Sequence, residues 1–265
     1  MNADSEPPLR VDTTDGVATL TLNRPQRLNA LNPALVTALH DYFAGLSARS
    51  AARVVVLRGA GRAFCAGLDL ADARIDGSVD EMLDQQQRIR NIVLAMRRCP
   101  QPIIGLVQGA ASGGGFALAL ACDVRLATPD ARMNAAFIRL GLSACDIGVS
   151  YFLPRMVGSS VAAEYMLTGR FMHADRALAL GLVSRVAALP ELQAEAAALA
   201  ADMLRATPLG LRLTKDALNL AIDAPGLEAA IAIEDRNQIL CTQGENFAEG
   251  VAAFLEKRAP RYGRR

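Results

Sequence analysis

Three consecutive glycines, Gly113 to Gly115, separate two apolar runs within residues 103–123. The first run is β-branched like a buried strand and the second resembles a helix, so the glycines are predicted to lie at a strand-to-helix junction. The first N–H groups of a helix have no intrahelical acceptor, and glycine lets a ligand approach them closely. This junction could hold an oxygen that develops negative charge. Alternatively, the glycines only allow the helix to pack closely on the sheet.

A second loop of small residues, FCAGLDL at 64–70, follows the buried run VVVLR at 54–58. Because both loops follow predicted strands, they could emerge at the same edge of a wound α/β sheet, where ligands bind in such folds. Two backbone N–H groups directed at one carbonyl oxygen would form an oxyanion hole. Loss of one such donor typically costs about 3 kcal/mol of transition-state stabilisation.

Two side chains beside these loops could act as nucleophiles. Cys65 has no accompanying histidine, which favours a packed thiol. Ser112 lies in the pattern Ala110-x-Ser112-x-Gly114, an imperfect nucleophile elbow of a serine hydrolase, and His173 is the only histidine that follows it. The five scattered cysteines contain no C-x-x-C pair, so neither a disulfide framework nor a metal site is predicted.

The elements that must position these loops begin with strands. Residues 9–13 and 17–22 predict a β-hairpin, and 54–58 a buried strand. Helices are predicted from Pro33 to about Ala48 and over 80–99.

Further elements follow the central stretch. The predictions are a strand at 124–127, an irregular stretch at 133–150, helices at 159–167 and 174–180, a strand at 182–186, and helices almost throughout 191–255. This order favours a wound α/β core whose final helices form a cap or an oligomer interface.

The composition excludes several function classes. The chain has 265 residues, is 52% hydrophobic and carries a net charge of +1, so no overall field favours nucleic acid or an anionic membrane. The N-terminus lacks the basic start and apolar core of a signal peptide, and no apolar run approaches the roughly 20 residues that span a bilayer. We expect a soluble, cytoplasmic protein.

Four segments, in one order, resemble the enoyl-CoA hydratase/isomerase (crotonase) superfamily. They are NRPQRLNALN, GRAFCAGLDL, QGAASGGGFALALACDVRLAT and EYMLTGRFMHADRALALGLVSRV, and the resemblance extends from Leu9 to the C-terminal FLEKR. It implies an α/β, crotonase-like spiral of ββα units over residues 1–200, which holds an acyl-CoA site. It also implies a helical region over 201–265 for trimerisation and CoA cover, with homotrimers that often pair into hexamers.

The resemblance implies that the substrate is an acyl-CoA thioester, with coenzyme A as part of the substrate and no separate cofactor or metal. The N–H groups of Leu68 and Gly114 would hold the thioester oxygen. The substrate-binding residues that it implies are Arg27, Leu28, Ala66, Asp69, Leu70, Phe116, Ala117, Phe137 and Lys257.

Individual groups among these positions have distinct expected roles. Arg24, Arg27 and Arg62 are charges suited to the CoA phosphates, or else solvated surface charges. Phe116, Phe137 and residues 71–87 are expected to shape the acyl pocket.

This sequence departs from the hydratases of the superfamily at two positions. Those enzymes carry one glutamate two residues after the third glycine and another in the following loop, because adding water across a double bond needs a base and an acid. Here the resemblance places Ala117 and Phe137 at those positions. Neither side chain can move a proton, and one positioned acid or base contributes roughly 10²- to 10⁴-fold.

One carboxylate remains nearby. Asp146, in LGLSACDIG, aligns with the carboxylate of double-bond isomerases in the superfamily, allowing for one extra residue here. Apolar surroundings would disfavour the charged form and make it a better base. Alternatively, Asp146 caps the following helix or accepts backbone hydrogen bonds in its loop.

Three functions are therefore open. Single-acid chemistry through Asp146, such as double-bond isomerisation, is favoured over classical hydration. The second is a catalytically impaired acyl-CoA-binding subunit, and the third a serine hydrolase that uses Ser112.

Overall fold

The computed structural model describes residues 6–72 and 77–263. The strands are β1 (Leu9–Thr14), β2 (Val17–Leu22), β3 (Val54–Gly59), β4 (Ile103–Val107), β5 (Ala110–Ser112), β6 (Val124–Ala127), β7 (Arg132–Asn134), β8 (Met172–His173) and β9 (Arg185–Val186). The α-helices are α1 (Pro33–Gly45), α2 (Val79–Arg98), α3 (Gly114–Ala121), α4 (Val149–Val157), α5 (Ser159–Thr168), α6 (Ala174–Ala179), α7 (Leu189–Leu204), α8 (Pro208–Ala221), α9 (Leu227–Thr242) and α10 (Glu245–Leu255).

The large sheet has six strands in the order β1-β2-β3-β4-β6-β9. The predicted hairpin pairs β1 with β2 antiparallel, and every other pairing is parallel. Alternate residues of β3 reach opposite faces, as the period of two in a strand requires. Val55 and Leu57 pack in the main core beneath α1 and α2, whereas Val54 and Val56 pack against α7. The wound α/β core is confirmed.

A small second sheet was not predicted. It has the order β5-β7-β8 and is built from strands of two or three residues. The chain repeatedly places one strand in the large sheet, the next in the small sheet, and then a helix. The series β4-β5-α3 and β6-β7-α4 follow this order, which is that of a spiral of ββα units.

Some boundaries differ from the predictions. Helix α1 ends at Gly45 rather than near Ala48, and the last strand is limited to Arg185–Val186. The stretch 133–150, predicted to be irregular, contains most of β7, a 3-10 helix at Ala136–Leu140 and the start of α4.

The C-terminal helices divide into two groups. Helix α7 packs on the sheet through Leu192, Ala196 and Ala200. Helices α8 to α10 bury few side chains, and the buried side chain of α8 is the cation Lys215. Within the described residues, no helix is both long enough and apolar enough to cross a membrane.

Candidate active site

The loop that contains Cys65 lies alongside β5. Cys65 N donates to Ala110 O at 3.0 Å, and Ser112 N donates to Cys65 O at 3.0 Å. These two bonds form a parallel bridge between Cys65 and Ala111. The two loops singled out in the sequence are therefore joined by backbone hydrogen bonds.

This pairing brings the amides of Leu68 and Gly114 together. A β-carbon placed on Gly67 would lie 3.4 Å from Gly114 N, and one placed on Gly114 would lie 3.8 Å from Gly67 Cα. The Gly67–Leu68 peptide thus lies beside the first turn of α3. Neither the Leu68 N–H nor the Gly114 N–H has an acceptor among the described residues. Two adjacent, free donors of this kind can bind one carbonyl oxygen.

The position of Leu68 is fixed by its neighbours on the chain. Leu31 N donates to Gly67 O at 2.7 Å, and Asp69 N donates to Leu31 O at 3.0 Å. In such a parallel bridge, the bonded groups flank Leu68 and face Leu31. The amide of Leu68 itself is left unpaired.

Glycine is required at two positions of this site by close approach. A β-carbon on Gly67, whose φ is +98°, would lie 2.8 Å from Ser112 O, and one on Gly115 would lie 2.0 Å from Cys65 O. Both distances are shorter than a carbon–oxygen contact allows. The glycines therefore permit both the loop contact and the exposed amides.

Asn29, in the segment NRPQRLNALN, joins that segment to the residues just before the loop at 64–70, a role that sequence reasoning missed. Its Nδ2 donates to Ala60 O and Ala63 O, both at 2.8 Å, and its Oδ1 accepts from Arg24 N at 2.9 Å. Asn29 is buried and has a φ of +56°, a left-handed conformation that asparagine tolerates better than most residues. The repeated asparagines in NRPQRLNALN were the available signal.

The two segments that are predicted to bind CoA, NRPQRLNALN and the loop at 64–70, contact each other directly. Ala66 N donates to Leu28 O at 3.0 Å, which brings Leu28 beside Ala66. Arg27 and Leu70 are exposed near this contact, and so is Arg62. These positions stay predictions for CoA, and their arrangement is compatible with a ligand that follows both loops.

Arg24 and Asp69 neutralise one another. Their side chains are 13% and 7% exposed, and Arg24 Nη1 lies 2.9 Å from Asp69 Oδ2. Arg24 also contacts Asp72 at 3.4 Å. The expectation that Arg24 offers its charge to a phosphate is corrected, because the guanidinium is committed to these carboxylates. The carboxylate of Asp69 is likewise committed to Arg24.

The aromatic and small side chains predicted for the acyl pocket divide between core and site. Phe116 is 1% exposed and packs in the core, so it supports the glycine turn rather than offering surface to a substrate. The ring of Phe137 would contact a β-carbon on Gly113 at 3.5 Å. Ala117 is fully buried one turn into α3.

Asp146 lies in the loop that enters α4. Its Oδ1 accepts from Ile147 N at 2.8 Å and from Gln86 Nε2 of α2. The side chain of Ile147 approaches Gly114, since a β-carbon there would lie 3.8 Å from Ile147 Cδ1. The loop that carries Asp146 thus borders the two free amides. Its side chain does not cap α4, whose N-cap is Gly148.

The two candidate nucleophiles lack what nucleophilic catalysis needs. Cys65 is fully buried, and burial raises the pKa of its thiol to about 12. Ser112 pairs with Asn134, whereas His173 pairs with Arg132 on the opposite side of β7. With neighbouring strands about 4.8 Å apart and a rise of about 3.3 Å per residue, the Cα atoms of Ser112 and His173 are separated by about 12 Å.

A cavity of about 410 Å³ opens beside the Leu68 side chain, between α1 and α2. Its lining includes Leu31, Val36 and Ile89 together with Asp72 and Arg88. Part of the segment 71–87, expected to shape the acyl pocket, therefore borders a cavity at the site. Residues 73–76 of that segment lie outside the described residues.

Lys257, which the resemblance implies as a CoA-binding residue, lies in the C-terminal region. Lys257 is exposed just after α10, with a φ of +54°, and α10 packs on α9. Among the described residues, no cluster of histidine, cysteine and carboxylate side chains could hold a metal ion.

Comparison with known proteins gives one consistent result. The family model for enoyl-CoA hydratase/isomerase matches residues 12–265. A probable enoyl-CoA hydratase of Mycobacterium tuberculosis is 41% identical over 251 residues, covering 92% of this chain and 88% of the relative. The 1,2-epoxyphenylacetyl-CoA isomerase of Escherichia coli is 35% identical over 250 residues, covering 93% and 95%. The crystal structure of an enoyl-CoA hydratase of Mycobacterium smegmatis superposes with a TM-score of 0.90 at 38% identity, covering 97% and 99%.

Proposed function

Because this chain belongs to the enoyl-CoA hydratase/isomerase (crotonase) superfamily, whose members act on acyl-CoA, we propose that it shifts a carbon–carbon double bond in an acyl-CoA thioester. Asp146 is the single proton-transferring group, and the N–H groups of Leu68 and Gly114 bind the thioester oxygen. The observation that carries this proposal is the pair of adjacent, unpaired amides bordered by the Asp146 loop.

The reaction proceeds through an enolate. The carboxylate of Asp146 removes a proton from the carbon between the thioester carbonyl and a 3,4 double bond, and the electron pair moves onto the carbonyl oxygen. The two amides stabilise this oxygen as its charge develops. The same carboxyl group then returns the proton to the fourth carbon, and the double bond moves into conjugation with the carbonyl. No water is consumed.

Hydration is less well supported, because it needs a second group that activates or positions water. The resemblance to hydratases puts Ala117 and Phe137 where those enzymes keep glutamates. Ala117 is fully buried and Phe137 packs by Gly113. Neither side chain can exchange a proton.

The relatives support two reaction classes. The Escherichia coli relative is named as an isomerase of a CoA thioester, whereas the mycobacterial relative is named as a probable hydratase. The residues at the site favour the first class. An acyl-CoA-binding subunit without turnover is the second candidate, because both positions of the hydratase glutamates are apolar.

The protein functions as a homotrimer, or as a hexamer made of two trimers. The observation that supports this assembly is a set of apolar side chains on α8 to α10 and at the C-terminal end of α8 that are at least 42% exposed in the single chain. They are Leu218, Leu220, Ile222, Leu227, Ile231, Ile239, Leu240, Phe247, Val251, Phe254 and Leu255. Residues 201–265 thus act as the assembly region and CoA cover, and residues 1–200 as the catalytic core.

The test is a panel of 2-enoyl-CoA and 3-enoyl-CoA esters, with water addition and double-bond migration measured separately. We expect the wild type to isomerise 3-enoyl esters. Replacing the carboxylate in Asp146→Asn should lower the isomerisation rate by about 10²- to 10⁴-fold. The exposed Asp216→Asn on α8 is the matched control and should retain wild-type activity.

Two outcomes would contradict the proposal. Rapid hydration by both the wild type and Asp146→Asn would show that another group does the acid–base work. Tight binding of CoA esters with no turnover by the wild type would instead support the binding subunit.

A further inference from the structure

Gln86 of α2 is the side chain from another element that contacts the Asp146 carboxylate. Its Nε2 donates to Asp146 Oδ1, across 60 positions of sequence. The Ile147 N–H donates to the same oxygen at 2.8 Å. Both donors therefore converge on Oδ1.

The other oxygen of this carboxylate has no such partner. Among the described residues, no hydrogen bond or ion pair reaches Asp146 Oδ2. A carboxylate oxygen that already accepts two hydrogen bonds is a weaker proton acceptor than its free twin, because each donor stabilises the negative charge on it. The asymmetry makes Oδ2 the basic atom.

The backbone of the Asp146 loop is held independently of Gln86. Val149 N donates to Asp146 O at 2.9 Å, and Ile147 adopts a φ of +36°. These features fix where the main chain runs. They leave rotation of the carboxylate about its own bonds to be restrained by Ile147 N and Gln86.

Helix α2 does not depend on Gln86 either. It begins with a capping box formed by Ser78 and Glu81, and it packs through buried residues such as Ile92 and Met96. Gln86 itself is exposed. A substitution there should leave the helix in place.

We propose that Gln86 is a positioning residue for the reaction: it orients the Asp146 carboxylate so that Oδ2 carries the proton between the two carbons. This inference rests on the proposed function, because it assigns Asp146 as the base. Gln86 needs no contact with the substrate for this role.

The main test compares Gln86→Leu with wild type for isomerisation of a 3-enoyl-CoA ester. We expect kcat to fall by about tenfold with KM changed less than about twofold, since the base is misoriented while the binding loops are intact. The acid limb of the pH dependence of kcat/KM should move to higher pH, because a donor to the charged carboxylate is lost.

A second variant separates charge from shape. Gln86→Glu has the same size as glutamine but places a carboxylate against Asp146, and two such groups tend to share one proton. The acid limb should move further up than in Gln86→Leu. If Gln86→Leu does not fold, Gln86→Glu carries the test alone.

Two controls accompany these variants. Gln193→Leu makes the same substitution at an exposed position of α7 and should match the wild type. In the Asp146→Asn background, Gln86→Leu should add little further loss, because residues that act as a unit are not additive.

The result that overturns this inference is a Gln86→Leu enzyme with wild-type kcat and an unmoved acid limb, while Asp146→Asn is inactive. A lower kcat without any pH shift would also overturn it, because that result indicates a purely structural role. Failure of the proposed function looks different, since either Asp146→Asn would remain active or the wild type itself would not turn over.

Discussion

Gly67 occupies a position where the structure leaves no room for a side chain. Its φ is +98°, and a β-carbon would lie 2.8 Å from Ser112 O. We expect Gly67→Ala to displace the Leu68 amide and to lower kcat/KM by about 10²- to 10³-fold, the range seen when an oxyanion-hole donor is lost. Steady-state kinetics on a CoA ester that the wild type converts will measure this.

Gly181→Ala is the matched control for that variant. Gly181 has a φ of +73°, but among the described residues no atom beyond its chain neighbours lies within 4 Å of a β-carbon placed there. It should cost about 1 kcal/mol of stability through backbone strain and leave kcat/KM unchanged. Equal kinetic losses in both variants would mean that strain, and not the displaced amide, causes the effect.

The parts of the candidate site that consist of main-chain amides could be predicted from the sequence. Small residues after predicted strands indicated that the glycine turn and the loop at 64–70 could present free amides, and the resemblance implied that these are the amides of Leu68 and Gly114. Gln86 and Asn29 were missed for different reasons. Gln86 contacts a residue that is distant in sequence, and Asn29 bonds main-chain carbonyl groups, which have no sequence signature. Arg24 was misassigned because a sequence does not show that Asp69 neutralises it.

At the scale of elements, Lys215 anchors α8 to the core. It is 5% exposed, and its Nζ lies 3.0 Å from Asp123 Oδ2, 3.0 Å from Met96 O and 2.7 Å from Gln101 O. We expect Lys215→Ala to lower the free energy of unfolding by about 3 kcal/mol, because it leaves buried acceptors without their donor. Urea denaturation will measure the change.

The neighbouring exposed residue provides the control. Asp216→Ala, on the same helix, should change the free energy of unfolding by less than about 0.5 kcal/mol. A Lys215→Ala protein as stable as this control would show that α8 is held by its apolar contacts instead.

Glu249 of α10 holds the segment that follows this helix through hydrogen bonds. Hydrogen bonds from Arg258, and then from Arg261 N, lower the pKa of Glu249 from 4.5 to about 2. Because the folded pKa is depressed, this contact contributes fully above pH 4.5 and is lost as the pH falls towards 2. The protection of the amides of residues 256–263 from hydrogen exchange, measured relative to the intrinsic rate at each pH, should therefore fall over that interval.

Glu249→Gln separates this effect from general acid unfolding. The variant should show low protection of the same segment at neutral pH, and this protection should change little between pH 4.5 and 2. A pH response identical to that of the wild type would assign the effect to another carboxylate.

Long, periodic elements were predictable and short ones were not. The hairpin, α1, β3 and α2 carry enough residues for alternation or helical spacing to be visible. Strands β5, β7 and β8 have two or three residues each, which is too short for a pattern. They form because successive turns of the spiral bring them side by side, so their pairing depends on tertiary structure rather than on local sequence.

At the scale of the whole molecule, the apolar residues of α8 to α10 point to assembly. Phe254 is 83% exposed and Leu255 is 73% exposed in the single chain. We expect the wild type to sediment as three or six copies of the 28.1 kDa chain, and Phe254→Asp to shift the population towards smaller species. Sedimentation velocity will distinguish these states.

Val11→Asp is the control for that experiment. Val11 is an exposed apolar residue on β1, outside the helical region. This variant should assemble like the wild type. A wild type that sediments as a single chain would contradict the proposed trimer, and the apolar helices would then need another partner.

The spiral as a whole followed from the resemblance and not from periodicity. Hydrophobic patterns indicated alternating strands and helices. They do not show that some of the strands belong to a second sheet. Four motifs in a fixed order supplied that information, because a shared order of motifs reflects a shared topology.

Because the proposed oxyanion donors are main-chain atoms, systematic mutagenesis of side chains would overlook them. Truncating Leu68 to alanine removes the side chain and keeps the nitrogen that matters. The informative change is chemical: semisynthesis that replaces the Leu68 or Gly114 amide with an ester would delete a proton donor while every side chain stays native. The contacts that we propose for the thioester oxygen are thus ones that a change of codon can alter only indirectly.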